Sequence, residues 1–388
     1  MVVSAGDVYV LELGQARGWF VSDFIVLGRC WGGVRVQPDV TLAETRLLAR
    51  DMTLKSAMAC IPVGGAKIGI AADSSTVNKK QLVNSLAEQL RIHGYVGKYI
   101  PGSDIGFSEG DLNLLNRCIG YSMRYSLHGG KTHLSKTGLA VAESLVASVK
   151  SVEELYALDG LKTVALQGFG NIGSAVAYLL HKHGYQIIAV SNKHHTLVAK
   201  PYIDVSYLLD LLKYGDWCLK MYADKMPGST LMPPDEIFRV DADIHVPGAR
   251  PLALRAVPRC RVAAPVANYP ISISHARRLE KAGIVVVPDI VSSAGGAIGS
   301  ALSLSGKSFE ENRRLIGRIT HLNMVEVFST ARKTGVSLVE QAYAEAWRRF
   351  NILRRLGPAG LVSYLGRWVI AVGMDILTSL GRVLTYRP

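Results

Sequence analysis

Apolar positions along the chain recur with two periods, and the switches between them mark the elements. Residues 7–13 and 19–27 are rich in Val, Tyr, Phe, Leu and Ile, and the "GQARG" between them reads as the turn of a β-hairpin. A helix follows. Thr41 and Glu44 make a T-x-x-E capping box, and Leu42, Leu48, Met52 and Ala59 keep helical spacing until Pro62 stops it. A second helix is predicted over 80–93. The stretch "YVGKYIPGSDIGFSEGDLNLL" then reads as a short strand, a glycine-punctuated loop holding Asp104, and a helix capped by Ser108 with Asp111.

The segment "GLKTVALQGFGNIGSAVAYLLHKHGYQIIAVSN" has the order of a βαβ unit. An apolar strand is followed by GxGxxG as Gly168, Gly170 and Gly173, a helix ending near Gly184, and a second apolar strand. A lone GxGxxG would say little, but here it falls where strand turns into helix. Three further apolar runs, "ADIHVPGA", "RVAAPVAN" and "GIVVVPDIVSSAGG", end in small residues or Pro, as strands do when their carboxyl ends surround a cofactor. From about residue 308 the pattern is helical. The fold class is therefore α/β: an N-terminal α/β domain over 1–135, a doubly wound Rossmann domain over 136–320, and C-terminal helices over 321–388 packing back on the first domain.

Composition narrows this picture. With 388 residues, 49% hydrophobic and 19% charged, the chain has core enough for two domains. The net charge of +13 comes from dispersed basic residues, which fits small anionic ligands and argues against nucleic acid. Five cysteines, odd in number and without CxxC, suggest neither disulfides nor zinc and fit a reducing cytoplasm. Asp7 and Glu12 interrupt what a signal peptide would need as an apolar run. His181, His183, His194 and His195 lack matching carboxylate or cysteine spacing, so no metal is expected.

Three residues carry the candidate chemistry. Lys55 lies in the last turns of the first helix, Lys67 lies beyond a "PVGG" loop whose glycines would admit a ligand, and Asp104 sits between glycines. Each alone has an ordinary explanation: a surface lysine, a loop lysine, an Asx-turn. Together, upstream of a dinucleotide fold, they are what hydride transfer at an amino-acid carbon needs. One cation holds the carboxylate. A second amine, its pKa lowered from about 10.4 by burial and a neighbouring charge, activates water. A carboxylate moves protons to and from the amino group.

From about Gly32 to Phe350 the chain resembles the glutamate/leucine/phenylalanine/valine dehydrogenases. The resemblance rests on "GGVR", "MTLKSAMACIPVGGAKIGI", "PGSDIG", "KTG", "GFGNIG", "VAN" and "VVPDIVSSAGGAIGS", in the family's order. It implies oxidative deamination of an L-amino acid to a 2-oxo acid and ammonia with NADP or NAD, in a cleft between two domains of a homo-oligomer, commonly a hexamer. Lys55 would bind the substrate carboxylate, Lys67 would be the catalytic lysine and Asp104 the proton carrier, with Trp31, Gly33 and Ser300 lining the substrate pocket. Thr137, Gly168, Gly170, Asn171, Gly173, Asn192, Lys193 and Asn268 would meet the cofactor.

Departures qualify the resemblance. Glutamate-type members carry a lysine before "GG" where this chain has Trp31, which argues for an apolar substrate side chain, whereas Ser300 matches a serine of glutamate-type enzymes; glutamate is the leading expectation and apolar amino acids come next. The second Rossmann strand closes with "SNKHH", without the acidic residue that holds the ribose of NAD, which points to NADP. Pro265, Val266 and Ser293 replace residues usual near the cofactor, so the alternative is a cofactor-binding regulatory paralogue. A second rival, a hydroxy-acid oxidoreductase, would need a catalytic His or Tyr in place of the lysine pair. Residues 351–388 are an extension. Within it, 360–381 is about the length of a membrane span, but Arg367 and Asp375 interrupt it, so a buried helix or subunit contact is expected before peripheral membrane contact.

Overall fold

In "GGAKIGIA", Gly64–Ala71, small or charged residues alternate with apolar ones, and in a strand that alternation separates two faces. The computed structural model describes residues 3–121, 134–254, 256–303 and 308–355. They form two compact units, one taking residues 3–121, 301–303 and 346–355, the other 134–300 and 308–345.

In the first unit, strands β1 (Val3–Ala5), β2 (Val8–Leu13), β3 (Ala16–Ser22), β4 (Phe24–Val26) and β5 (Cys30–Val36) lead to helix α1 (Leu42–Met58). β6 (Gly64–Ala71), α2 (Lys79–Ile92), β7 (Tyr99–Ser103) and α3 (Glu109–Cys118) follow. The sheet order is β2-β3-β6-β5-β7, with β5 parallel to both neighbours. The hairpin expected over 7–27 is β2–β3, but its second arm stops at Ser22, and Phe24–Val26 turns away to pair with Val3–Ala5. One face of the sheet packs Cys30, Val34, Val36, Ala66, Ile68 and Ile70 against Leu82 and Leu86 of α2 and Leu112 and Leu115 of α3.

The other face meets α1. A Cβ on Gly65 would lie 2.1 Å from the Ala49 carbonyl oxygen, and one on Gly69 2.3 Å from Thr45 Oγ1, so only glycine lets the helix come this close. The "GG" before Lys67 is thus strand, not loop. It accommodates the chain itself: Gly65 against α1, and Gly64 with the Phe24 carbonyl oxygen 1.8 Å from where its Cβ would be. The T-x-x-E box is half formed. Thr41 Oγ1 accepts from the Glu44 N–H at 3.2 Å, but the Glu44 carboxylate turns to Arg35, where a full charge outbids a backbone N–H.

The second unit begins with α4 (Lys136–Tyr156), capped by Ser135. β8 (Thr163–Gln167), α5 (Asn171–Lys182) and β9 (Gln186–Ser191) form the expected βαβ unit. β10 (Thr196–Ala199), α6 (Val205–Asp210), a 3-10 segment Leu211–Trp217, α7 (Cys218–Ala223) and β11 (Ser229–Met232) come next. β12 (Ile244–Val246), β13 (Val262–Ala263), α8 (Ile273–Lys281), β14 (Val285–Val286), α9 (Asp289–Ser292), α10 (Gly295–Leu302), α11 (Phe309–Thr334) and α12 (Leu338–Arg355) complete the described chain. The sheet order is β11-β10-β9-β8-β12-β13-β14. The five strands β9, β8, β12, β13 and β14 run parallel, while β10 and β11 extend the edge as an antiparallel pair, which the sequence reading did not foresee. The chain leaves β8 toward β9 on one side and returns as β12 on the other, so the topological switch point lies at the carboxyl end of β8. Among the described residues no helix is long and apolar enough to cross a membrane, and the 360–381 segment falls outside them.

Candidate active site

On β5 the alternation puts Trp31, Gly33 and Arg35 on the face opposite the core cluster, and the same face of β6 shows Gly65, Lys67 and Gly69. The register sets Val34 beside Ile68 on one side and Ser103 on the other, so Asp104, just past β7, lies level with Arg35. Lys67 Nζ is 2.5 Å from Asp104 Oδ2, and Arg35 Nε donates to the same oxygen at 3.2 Å. Arg35 Nη1 reaches Glu44 Oε1 at 2.5 Å. Gly33 leaves room for this pair: a Cβ there would sit 2.9 Å from Asp104 Cβ and 3.2 Å from Lys67 Nζ.

Lys67 is 3% exposed. Burial pushes its pKa down and the Arg35 and Lys55 charges add to this, while Asp104 opposes it without restoring the ordinary value. For Asp104, burial alone would favour the protonated acid, but Lys67, Arg35 and the Ile105 N–H hold the carboxyl well below the usual carboxylate range. Arg35 goes the other way: burial works against its charge, and Asp104 with Glu44 outweigh it. The cluster therefore combines a committed carboxylate with an amine that loses its proton more readily than a surface lysine. The sign follows: neutral amine accumulates as pH rises toward a midpoint below about 10.4. With Lys67 as a general base, kcat/KM should rise along that limb, and the limb should move to lower pH in Asp104→Asn, where the opposing charge is gone. A pH–rate series on the two proteins checks this.

Lys55 is also 3% exposed, so the surface-lysine explanation does not hold. Its Nζ lies 2.8 Å from Asp51 Oδ2, one turn back on α1. Trp31 is buried against the same helix, its Nε1 donating to Ser56 Oγ at 2.7 Å, and Ser56 donates onward to the Met52 carbonyl oxygen. Ser300 belongs to the second unit, where its hydroxyl donates to the Gly296 carbonyl oxygen at 2.9 Å.

The glycines of the βαβ unit form a cradle. Gly168 has φ +93°, which favours glycine, and a Cβ on Gly173 would lie 1.8 Å from the Gly168 carbonyl oxygen. Gly170 faces open space at the N-terminus of α5, with Asn171 opening the helix. The Gln167 side-chain oxygen beside this loop is buried without a hydrogen-bond partner among the described residues. A diphosphate fits such a place, where backbone N–H groups and the helix dipole face outward. Gly138 brings α4 against α5, its Cβ position 2.7 Å from the Asn171 carbonyl oxygen, which sets Thr137 near this loop and near Gly296. The loop bearing Asn268 follows β13 and is tied down by Val266 N–H donating to the Pro247 carbonyl oxygen at 2.9 Å and Tyr269 N–H to Asp289 Oδ2 at 2.8 Å.

Residues 129–354 match the sequence profile described as Glutamate/Leucine/Phenylalanine/Valine dehydrogenase, and residues 11–120 that of the Glu/Leu/Phe/Val dehydrogenase dimerisation domain. The chain belongs to the glutamate/leucine/phenylalanine/valine dehydrogenase family. It is 30% identical over 351 residues to an NADP(+)-dependent glutamate dehydrogenase of Pyrobaculum calidifontis, covering 82% of this chain and 80% of that protein. It is 28% identical over 345 residues to an L-tryptophan dehydrogenase of Nostoc punctiforme, covering 85% and 88%. The hetero-hexameric glutamate dehydrogenase of Thermus thermophilus in its Leu-bound form superposes with a TM-score of 0.76 at 25% identity, over 92% of this chain and 91% of that one. Enzymes of this family are NAD(P)-dependent amino-acid dehydrogenases.

Within this family member, Lys55, Lys67, Gly33, Trp31 and Asp104 all belong to the first unit, and the cofactor candidates with Ser300 to the second. Three participants escaped the sequence reading: Arg35, Glu44 as its partner, and Asp51. The signals were present, in the i, i+2 spacing of Gly33 and Arg35 on one strand and the i, i+4 spacing of Asp51 and Lys55 on one helix. Of the unusual residues, Ser293 donates to the Asp289 carbonyl oxygen at 2.6 Å, and the Pro265 carbonyl oxygen accepts from Ser292 Oγ at 2.5 Å. Both are absorbed into the packing of α9. Of the histidines, His183 faces Lys150 at 2.9 Å, and His194 stacks on Trp217.

Proposed function

We propose that this enzyme deaminates an L-amino acid with an apolar side chain, using NADP in preference to NAD. The observation that supports the chemistry is the buried Lys67–Asp104 pair held by Arg35. Lys55, steadied by Asp51, holds the substrate carboxylate. A dinucleotide held by its diphosphate on the Gly168, Gly170 and Gly173 loop would supply the hydride acceptor for Cα. Asp104 would take a proton from the substrate ammonium once Lys67 has given up its own charge, which removes the larger of the two cations that hold the carboxyl low, and would return that proton to the leaving amino group. The lowered pKa of Lys67 lets its amine take the proton of the water that adds to the imine carbon, and the resulting ammonium steadies the developing oxyanion.

The side-chain reading rests on Trp31. A lysine there would supply the cation for a substrate's second carboxylate, whereas the indole is buried and its N–H is already given to Ser56. A dicarboxylate would be left poorly compensated. Glutamate is the second reading, favoured by Ser300 and by the glutamate dehydrogenases among the relatives. NADP is supported by the lack of a carboxylate within "SNKHH". A homo-oligomer, with a hexamer favoured, is the corresponding assembly, and light scattering tests it.

The deciding experiment follows NADPH oxidation with ammonium and a panel of 2-oxo acids. Turnover should be at least tenfold more efficient with an apolar or aromatic 2-oxo acid than with 2-oxoglutarate, and Trp31→Lys should narrow or reverse that ratio. The opposite preference in the natural protein would establish the glutamate reading. Tight NADPH binding with no turnover on any oxo acid would move the protein to a regulatory role.

A further inference from the structure

The turn Asn192–His195 lies about 20 residues beyond the glycine loop, at the carboxyl end of the second parallel strand, where a Rossmann fold meets the 2′ position of the adenosine ribose. A carboxylate is absent from the turn but not from its surroundings. The 3-10 segment Leu211–Trp217, with Gly215 at φ 57° and ψ −133°, carries Asp216 onto it. Asn192 Nδ2 donates to the Asp216 carbonyl oxygen at 2.7 Å, and Asn192 Oδ1 accepts from the N–H groups of His194 and His195, both at 2.9 Å. The His194 ring stacks on Trp217, 5.5 Å between centroids and 7° from parallel. With the segment docked in this way, the Asp216 carboxylate is 2.6 Å from Lys193 Nζ.

We infer that Asp216 is a selectivity residue of the cofactor site, acting from outside the strand end where such a carboxylate normally resides. Its charge occupies Lys193, the cation a 2′-phosphate would use, and it stands where a ribose hydroxyl could donate to it. Both effects favour NAD, so Asp216 opposes the NADP preference that the turn would otherwise have. The pair is exposed, with side chains 67% and 51% accessible, and pairs of that kind are weak. A dianionic phosphate can therefore displace it, at a cost to affinity.

This inference rests on the nicotinamide-dinucleotide reading, and the test separates the two. Dissociation constants for NADPH and NADH are measured by nicotinamide fluorescence, without turnover, on the natural protein, Asp216→Asn and Lys193→Ala. The ratio of the NADH constant to the NADPH constant should rise threefold or more in Asp216→Asn and fall threefold or more in Lys193→Ala. A smaller change in Asp216→Asn while both nucleotides still bind would overturn the role of Asp216 and leave the cofactor reading intact. Failure of the natural protein to bind either nucleotide would overturn the cofactor reading, and this inference with it.

Discussion

Asp104→Asn should lower kcat by about 10²- to 10⁴-fold, the range for loss of a positioned acid–base group. The amide keeps the shape of the carboxylate but cannot take a proton from the substrate ammonium. KM for the amino acid should move far less, because the proposed carboxylate anchor is Lys55, which pairs with Asp51. The substitution also leaves Lys67 and Arg35 without the anion between them. Unpairing a buried charge costs roughly 3–5 kcal/mol when the group stays charged. Lys67 has a way out, since its pKa is already low and falls further, so its amine can become neutral, whereas Arg35 keeps Glu44. A thermal melt run beside the kinetics separates the two effects. A kcat within tenfold of the natural protein, in a variant that melts normally, would remove Asp104 from the proton path.

The acid side of the same linkage has a definite direction. Because the folded pKa of Asp104 is depressed, its contribution to stability is fully present above the ordinary carboxylate value of about 3.9 and is lost as pH falls below it.

How much of this was legible in the sequence depends on what each residue reports. The βαβ unit was readable because strand, glycine loop and helix are consecutive, and each glycine has a local reason: positive φ at Gly168, contact with the Gly168 carbonyl oxygen at Gly173. Lys67 and Asp104 could be nominated, but nothing local says that they touch. Their meeting depends on β5 lying between β6 and β7, a pairing between segments far apart in the chain. Arg35 was overlooked for the same reason, since its partners are supplied by α1 and by the turn after β7. Glu44 shows a local rule losing to a tertiary one, its carboxylate leaving the helix cap for a buried guanidinium. Asp216 is the clearest case. The turn "SNKHH" holds no acid, yet the fold brings one to it from a segment 24 residues downstream.

Gly65→Ala should damage stability and substrate binding together. The added Cβ would lie 2.1 Å from the Ala49 carbonyl oxygen, 2.2 Å from the Thr53 backbone nitrogen and 2.6 Å from Thr53 Oγ1. Two of these are backbone atoms of α1, so no side-chain rotation relieves the clash, and the helix must rise from the sheet. Overpacking of this kind costs about 1–3 kcal/mol, more where backbone has to move. The same shift breaks the hydrogen bond from Gly65 N–H to Thr53 Oγ1, 3.1 Å long. Lys55, Asp51 and Ser56 all ride on α1, so the proposed carboxylate anchor and the partner of Trp31 move with it. The expected result is a lower melting temperature with KM for the amino acid raised roughly tenfold or more, on the basis that an ångström of misplacement is costly at a reacting centre. NADPH affinity should hold, because the glycine cradle belongs to the second unit. Gly110→Ala is the control: it lies in α3, and its added Cβ would meet nothing nearer than Ser108 Oγ at 3.5 Å. Equal melting and equal KM in Gly65→Ala and the natural protein would mean that α1 does not need its close seat on β6 to present Lys55.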